Sequence, residues 1–269
     1  MKILIYGNGW IGNILQKYFS EQGFESRISD SKHLELLPLL ILEEEIARVD
    51  VVINTVAKTN IDWCEKNKEE STIVNVGIAG KLARICTKLS KHYVFFSSAC
   101  IFQSPNGEIN YEDSPANPAC HYSETKKQAE EIITATCPDA LIIRPRLPVS
   151  EVPHPRNTIN KILSYSRLHQ NQESITVIED MLPVLKKLIE EKQSGAFNMV
   201  NAGTISPAEI ADLFDHKYKV FSKKEEEDMM KAKGRAIRVS TIVGSKRMPL
   251  LPEIKSQLVA LVGFYKSHL

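Results

Sequence analysis

Two rhythms of apolar residues open the chain. Residues 2–6 (KILIY) form a short continuous apolar run, as a strand buried on both faces requires, and Ile11, Ile14, Leu15, Tyr18 and Phe19 then recur at helical spacing. The alternation continues downstream. Strand-like runs lie at 51–54, 93–97, 141–144 and 196–200, with helical patterns between several of them, notably 72–89 and 123–136. Strands alternating with helices predict an α/β fold with a doubly wound parallel sheet. After Arg144 the texture changes: "RPRLPVSEVPHPRN" carries Pro145, Pro148, Pro153 and Pro155, none of which can sit inside a helix or a central strand. The expected division is a first domain over 1–148, with a return element at about 175–202, and a smaller part over 149–269. A charged helix around 223–233 and the tail from Glu253 would complete that part.

Composition removes several classes of function. The 269 residues carry 34 Lys plus Arg against 33 Asp plus Glu, a net charge of +1 without a basic stripe, so a nucleic-acid partner is not expected. No run approaches the ~20 apolar residues of a membrane span, and Met1-Lys2 leads straight into a strand pattern where a signal peptide would differ, so a cytoplasmic enzyme is expected. The five cysteines, at 64, 86, 100, 120 and 137, form no Cys-x-x-Cys pair; reduced thiols are expected, and no metal.

The turn between the first strand and helix reads "YGNGWIG", placing Gly7, Gly9 and Gly12 in a Gly-x-Gly-x-x-Gly pattern. In a Rossmann-type dinucleotide fold the first glycine makes the tight turn and the second lets the backbone approach a pyrophosphate. The third permits close helix–sheet contact, and the helix N-terminus faces the phosphates. An ordinary strand-to-helix turn is the alternative, but strand, glycines and helix stand in the order that the dinucleotide motif demands. The second strand should end near "ISDSKH", where Asp30 suits a ribose hydroxyl (NAD) while Arg27 and Lys32 suit a 2′-phosphate (NADP).

"HYSETKK" sets Tyr122 and Lys126 four residues apart on one helix face. A lysine ammonium beside a phenol favours the phenolate, so that the tyrosine can exchange a proton with a carbonyl or hydroxyl oxygen near neutral pH. Ser98, at the end of "YVFFSSAC", adds a hydroxyl at the carboxyl edge of the sheet, where open α/β sheets bind ligands.

With these residues in place the chain resembles the extended short-chain dehydrogenase/reductases, nucleotide-sugar branch. The resemblance runs through "YGNGWIG", "VVINTVAKTNIDWCE", "SSACIF", "HYSETKKQAEE" and "LIIRPRLPV". Within that branch "NIDWCE", "HPRNTINKI" and "TVIEDMLP" are most similar to the bifunctional 3,5-epimerase/4-reductases of nucleotide-linked rhamnose synthesis, related to the dTDP-4-dehydrorhamnose reductases. The resemblance implies Ser98, Tyr122 and Lys126 as the reductase triad. It implies cofactor contacts at Gly7, Asn8, Gly9, Trp10, Ile11, Gly12, Lys32 and Asn54, shared with Tyr122 and Lys126. The cofactor implied is NADP(H), because Lys32 stands where the family places an arginine, with NAD(H) as the alternative.

Two further residues match positions that epimerise C3 and C5 beside the ketone: Cys100, two residues after the triad serine, and Lys161 in "NTINKI". Protons α to a ketone can be removed if the enolate oxygen is held, and inversion needs a base on one face and an acid on the other. His154 competes with Lys161 for the second role. Arg156, Asn157 and Arg238 are implied as substrate contacts, a guanidinium suiting a diphosphate. Asn75 is implied to support the active-site backbone, and "NTV" at 54–56 departs from the family's usual Asn-Ala-Ala. The implied activity is conversion of an NDP-4-keto-6-deoxyglucose, with UDP the expected nucleotide, to NDP-L-rhamnose by a homodimer. A reductase-only enzyme and a non-catalytic cofactor-binding subunit are the competing readings.

Overall fold

The computed structural model describes all residues except 223, 226, 227, 229–239 and 269. Its central sheet has six strands in the order β2-β1-β3-β4-β5-β9. These are β1 (Lys2–Tyr6), β2 (Glu25–Ile28), β3 (Val51–Asn54), β4 (His92–Phe96), β5 (Leu141–Pro145) and β9 (Gly195–Met199). The pairs β1–β2, β1–β3, β3–β4 and β4–β5 are parallel. The reversal of strand order beside β1 is the topological switch of a Rossmann-type sheet, at whose carboxyl edge ligands bind. Five of the six strands were placed by their apolar runs within a residue or two, because strands buried in a sheet read as near-continuous apolar stretches. β2 breaks that rule: its residues, Glu-Ser-Arg-Ile, alternate between exposed and half-buried at the sheet's edge.

The chain divides into two compact units. The first comprises 1–98, 121–143 and 184–197, and the second 99–120, 144–183 and 198–269. The sequence placed the crossing at 148 and kept 99–120 in the first domain; here the crossing lies at 143/144. The segment 99–120 joins the second unit because Ser104 N–H donates to the Ser240 carbonyl, Asn110 N–H to the Ile242 carbonyl, and Ala99, Ile101 and Phe102 pack with Val200 and Val243.

In the first unit α1 (Trp10–Glu21), α2 (Leu39–Ala47), α5 (Ile78–Lys88) and α6 (His121–Thr136) accompany the sheet, and Tyr6, Val52, Leu82, Tyr93, Phe95 and Ile133 share its core. The helix expected over 72–89 is interrupted. α3 (Ile61–Lys66) and α4 (Lys68–Thr72) precede a π-helical turn at Ile73–Gly77, and α5 follows it. Such a turn inserts one residue into the helical track, a distortion that recurs at functional sites.

In the second unit α7 (Thr158–Leu163), α9 (Pro207–Leu213) and the C-terminal helix Ile254–His268 enclose a core that includes Ile159, Ile162, Ile210, Leu258 and Tyr265. α9 starts with a capping box in which Ser206 and Glu209 satisfy each other's backbone N–H. Most of the charged helix expected around 223–233 falls outside the described residues, as does Arg238. Among the described residues no helix is long and apolar enough to cross a membrane.

The glycine turn shows why two of its three glycines are obligatory. Gly7 has φ +112°, in the region L-residues avoid, and a Cβ there would meet Thr55 Oγ1 at 2.4 Å. A Cβ on Gly12 would lie 1.9 Å from the Gly7 carbonyl oxygen, a backbone atom that cannot step aside. Gly12→Ala is therefore expected to cost about 3 kcal/mol by urea unfolding, at the upper end for overpacking. Gly77→Ala, where nothing lies within 4 Å and the backbone is helical, should stay within about 0.5 kcal/mol of wild type. Equal midpoints for the two variants would refute the steric account.

Candidate active site

The carboxyl edge of β1 presents the glycine turn, and α1 begins at Trp10 with Gly9 as its N-cap. The first intrahelical bond runs from Asn13 N–H to the Gly9 carbonyl, so the N–H groups of the opening turn face the edge where a phosphate would sit. Asn13 Nδ2 also donates to Asn8 Oδ1 at 3.0 Å and to the Gly9 carbonyl at 2.7 Å, stitching the loop to the helix. Gly9 itself has φ −107°, open to any residue. Thr55 underlies the turn, its Oγ1 lying 3.0 Å from the Tyr6 carbonyl and 3.2 Å from that of Gly7. The departure from Asn-Ala-Ala thus braces the glycine loop.

Asn54 follows a structural course. It is 1% exposed, its Nδ2 donates to Tyr93 Oη at 2.9 Å, and its Oδ1 accepts the Val56 N–H at 2.9 Å. Its side chain pins the loop after β3. At the end of β2, Arg27 is also committed, to Glu45 at 2.9 Å. The same carboxylate accepts from Tyr6 Oη at 2.8 Å and Ser29 Oγ at 3.0 Å. Burial, reinforced by Glu45, pushes the Tyr6 hydroxyl well above its ordinary value. The residues that the sequence offered for cofactor selection, Arg27, Asp30 and Lys32, are all exposed. Glu45 was not legible in the sequence, because its role depends on α2 folding back beneath β2.

The start of α6 is held more firmly than any local signal announces. The His121 N–H donates to Glu65 Oε1 at 2.6 Å, and its ring Nε2 lies 3.0 Å from the Lys68 carbonyl. Thr125 Oγ1 donates to the Tyr122 carbonyl at 2.7 Å and accepts from Asn75 Nδ2 at 2.9 Å. Asn75, fully buried in the π-helical turn, grips Lys58 from both sides: its Oδ1 takes the Lys58 N–H at 2.8 Å, and its Nδ2 reaches the Lys58 carbonyl at 3.2 Å. The interruption of the predicted helix is where Asn75 acts.

One turn beyond Tyr122, Lys126 is 2% exposed. Its Nζ donates to the Phe96 carbonyl at 2.8 Å and lies 4.6 Å from the centre of the Phe95 ring. Burying an ammonium is costly, so a lysine kept in such a place is a candidate functional group. The bond ties α6 to the last residue of β4. Ser98 follows two residues on and is half-buried, as is Tyr122. Strand end, serine, tyrosine and lysine all belong to the first unit.

The second unit holds Cys100, Arg156, Asn157 and Lys161. Cys64, Cys86 and Cys137 are buried, and burial pushes the Cys86 and Cys137 thiols up; Cys100 and Cys120 are only half-buried. Arg146 interacts electrostatically with both of those thiols. Although burial works against its charge, Glu173 more than compensates, with Oε2 2.6 Å and 3.1 Å from two guanidinium nitrogens. Arg156 and Lys161 are exposed.

Asn157 has a structural role. It is 0% exposed and caps α7: its Oδ1 accepts the Ile159 N–H, and its Nδ2 donates to the Ser150 carbonyl at 2.8 Å and to Tyr265 Oη. These bonds anchor the segment that carries Arg156. His154 Nδ1 accepts the Arg156 N–H at 3.0 Å, which places the ring proton on Nε2. Burial, with Arg156 and Lys161 nearby, lowers its pKa.

The family model described as the RmlD substrate binding domain matches residues 1–238. The chain belongs to the RmlD family. Members most similar in sequence include a trifunctional UDP-glucose 4,6-dehydratase/UDP-4-keto-6-deoxy-D-glucose 3,5-epimerase/UDP-4-keto-L-rhamnose-reductase of Arabidopsis thaliana, 29% identical over 97% of this chain and 42% of that protein. The chain thus spans well under half the length of the trifunctional relatives it matches. A bifunctional dTDP-4-dehydrorhamnose 3,5-epimerase/dTDP-4-dehydrorhamnose reductase of the same plant is 27% identical over 96% of this chain and 91% of that protein. Among solved structures, a UDP-rhamnose synthase from Acanthamoeba polyphaga mimivirus superposes with a TM-score of 0.89 at 27% identity, covering 98% of this chain and 99% of that one. These RmlD-like chains place the protein in the nucleotide-sugar branch of the extended short-chain dehydrogenase/reductases.

Proposed function

We propose that this RmlD-family protein reduces the C4 ketone of a UDP-linked 4-keto-6-deoxy sugar to the rhamnose product with NADPH, and that it also epimerises C3 and C5 beforehand. The observation that carries the reductase reading is the buried Lys126, tied to the end of β4 one turn beyond Tyr122. The residues fit the dinucleotide. The turn at Gly7, Asn8, Gly9, Trp10, Ile11 and Gly12 offers N–H groups to a pyrophosphate, the glycine at position 9 is explained by a phosphate's approach, and exposed Lys32 suits a 2′-phosphate. Bound NADPH supplies a hydride. The protein's own part is to hold the sugar's O4 with the Ser98 hydroxyl and to deliver the Tyr122 proton to it as the alcohol forms. Lys126 eases the resulting phenolate, which solvent reprotonates.

The epimerase reading is supported by the half-exposed Cys100 thiol in the electrostatic reach of Arg146. It is supported too by relatives whose names pair both activities. With O4 held by Ser98 and Tyr122, Cys100 takes the proton from the carbon next to the ketone, and Lys161 returns one to the opposite face. Arg156 binds the diphosphate. We further propose a cytoplasmic homodimer formed through the sheet-flanking helices; a sedimentation mass near one 30.3 kDa chain would contradict it.

The test is a reaction in D2O with UDP- and dTDP-4-keto-6-deoxyglucose supplied separately with NADPH, followed by NMR. A UDP-rhamnose product deuterated at C3 and C5 is expected. No NADPH-dependent turnover of either sugar would overturn the reductase reading, and reduction of a pre-epimerised substrate alone, without deuterium uptake, would leave a simple reductase.

A further inference from the structure

Helices normally begin with a side chain that caps their unpaired N–H groups, most often Ser, Thr, Asp or Asn at the residue before the first turn. α6 has no such residue: the chain enters it through Pro118, Ala119 and Cys120, none of which carries a side-chain oxygen. The helix bearing the proposed proton donor thus lacks a local start signal. Its first N–H is taken instead by Glu65, a residue 56 positions away in the sequence.

Glu65 is well placed to impose a position. It sits in α3, whose own start is capped by Asn60 Oδ1 accepting the Trp63 N–H at 3.0 Å, and whose Cys64 Sγ reaches the Lys58 carbonyl at 3.3 Å. Lys58 is the residue that Asn75 clasps, and Asn75 in turn holds Thr125, which holds the Tyr122 carbonyl. The bonds close a ring: Glu65 to His121 at one end of the first turn, Thr125 and Asn75 at the other, and the root of α3 joining them. Tyr122 stands inside it. A negative charge at a helix N-terminus is also favoured by the helix dipole, and a carboxylate makes a stronger bond to an N–H than a neutral oxygen does. The charged groups facing the carboxylate are Lys68, with Nζ 3.8 Å away, and the amino end of α6 itself.

We propose that Glu65 is the positioning residue of Tyr122: its carboxylate substitutes for the missing cap of α6 and fixes where the phenol meets the sugar's oxygen. This rests on the reading of Tyr122 as proton donor. Glu65 touches neither cofactor nor substrate in this scheme, so its loss should appear in turnover and not in cofactor binding.

The experiment compares Glu65→Ala with Glu65→Gln, which keeps an acceptor oxygen. For Glu65→Ala, kcat should fall by about thirtyfold while the Kd for NADPH, by fluorescence titration, stays within about twofold; a misplacement near 1 Å has effects of this order. Glu65→Gln should recover to within about threefold of wild type. Hydrogen exchange of the peptide covering 119–126 should lose protection in the alanine variant and keep it in the glutamine variant. Unchanged exchange in Glu65→Ala, wild-type kcat in that variant, or equal damage in both variants with weakened NADPH binding would each overturn the proposal. Should the wild-type protein turn over no keto-sugar, the reading of Tyr122 falls on its own, and the exchange comparison still decides whether Glu65 holds the turn.

Discussion

Tyr122→Phe is expected to lower kcat for NADPH-dependent ketone reduction by about 10³-fold, the middle of the range for removing a positioned proton donor. NADPH affinity should hardly change. The phenol ring is retained, Tyr122 is half-buried, and the bond from Thr125 goes to the backbone carbonyl of Tyr122, which the substitution leaves in place. On the proposed reading what disappears is the proton that Tyr122 delivers to the sugar's oxygen, so hydride transfer would have to generate an unprotonated alkoxide. Lys126→Met should lose at least as much, for a different reason. It leaves the Phe96 carbonyl without the Nζ donor at 2.8 Å and cuts the tie between α6 and β4, so loss of activity should come with a lower unfolding midpoint. Stopped-flow oxidation of NADPH and urea melts on both variants separate the two effects. A Tyr122→Phe enzyme within tenfold of wild type would remove this tyrosine from the chemistry.

The difference between those two variants reflects what sequence can and cannot disclose. Tyr122 and Lys126 were legible because four residues on a helix always share a face, and Gly7 and Gly12 because a positive φ and a contact at 1.9 Å admit nothing larger. Local geometry fixes such residues, and local geometry is written in spacing. The β1, β3, β4 and β5 strands were legible for the same kind of reason, being largely apolar and buried runs. Glu65 and Glu45 were not, since each acts across 14 to 56 residues on a segment outside its own element, and Asn75 was reached only through the family resemblance. The role of Asn157 as the cap of α7 was not legible either: an asparagine in a Pro-Arg-Asn segment has the polarity of a ligand contact, and helix caps select the same residue type. The segment 99–120 likewise joins the second unit through partners near 240–243, a pairing that no pattern within either stretch encodes.

Cys100 carries the second large effect. On the proposed reading Cys100→Ser should abolish deuterium uptake at C3 and C5, by at least about 10²-fold, while reduction of an already epimerised 4-keto-rhamnose nucleotide stays within about threefold. A serine hydroxyl is nearly the size of a thiol, so packing is conserved, but its far higher pKa removes the base that a thiol beside a cation provides. Lys161→Met should produce the same split, because inversion needs a group on each face and either loss stops it. His154→Gln makes the comparison sharp. Burial, with Arg156 and Lys161 nearby, lowers the His154 pKa, and its Nδ1 is occupied by the Arg156 N–H. Its replacement should therefore raise the KM for the nucleotide sugar by loosening the turn that presents Arg156, and should leave the ratio of epimerisation to reduction unchanged. If His154→Gln instead stops deuterium uptake while Lys161→Met does not, the imidazole is the second acid/base group. If neither Cys100→Ser nor Lys161→Met affects uptake, the inversion chemistry does not belong to this pair. The ratio of the two activities is the decisive quantity, since a fold defect lowers both together and only a catalytic loss separates them.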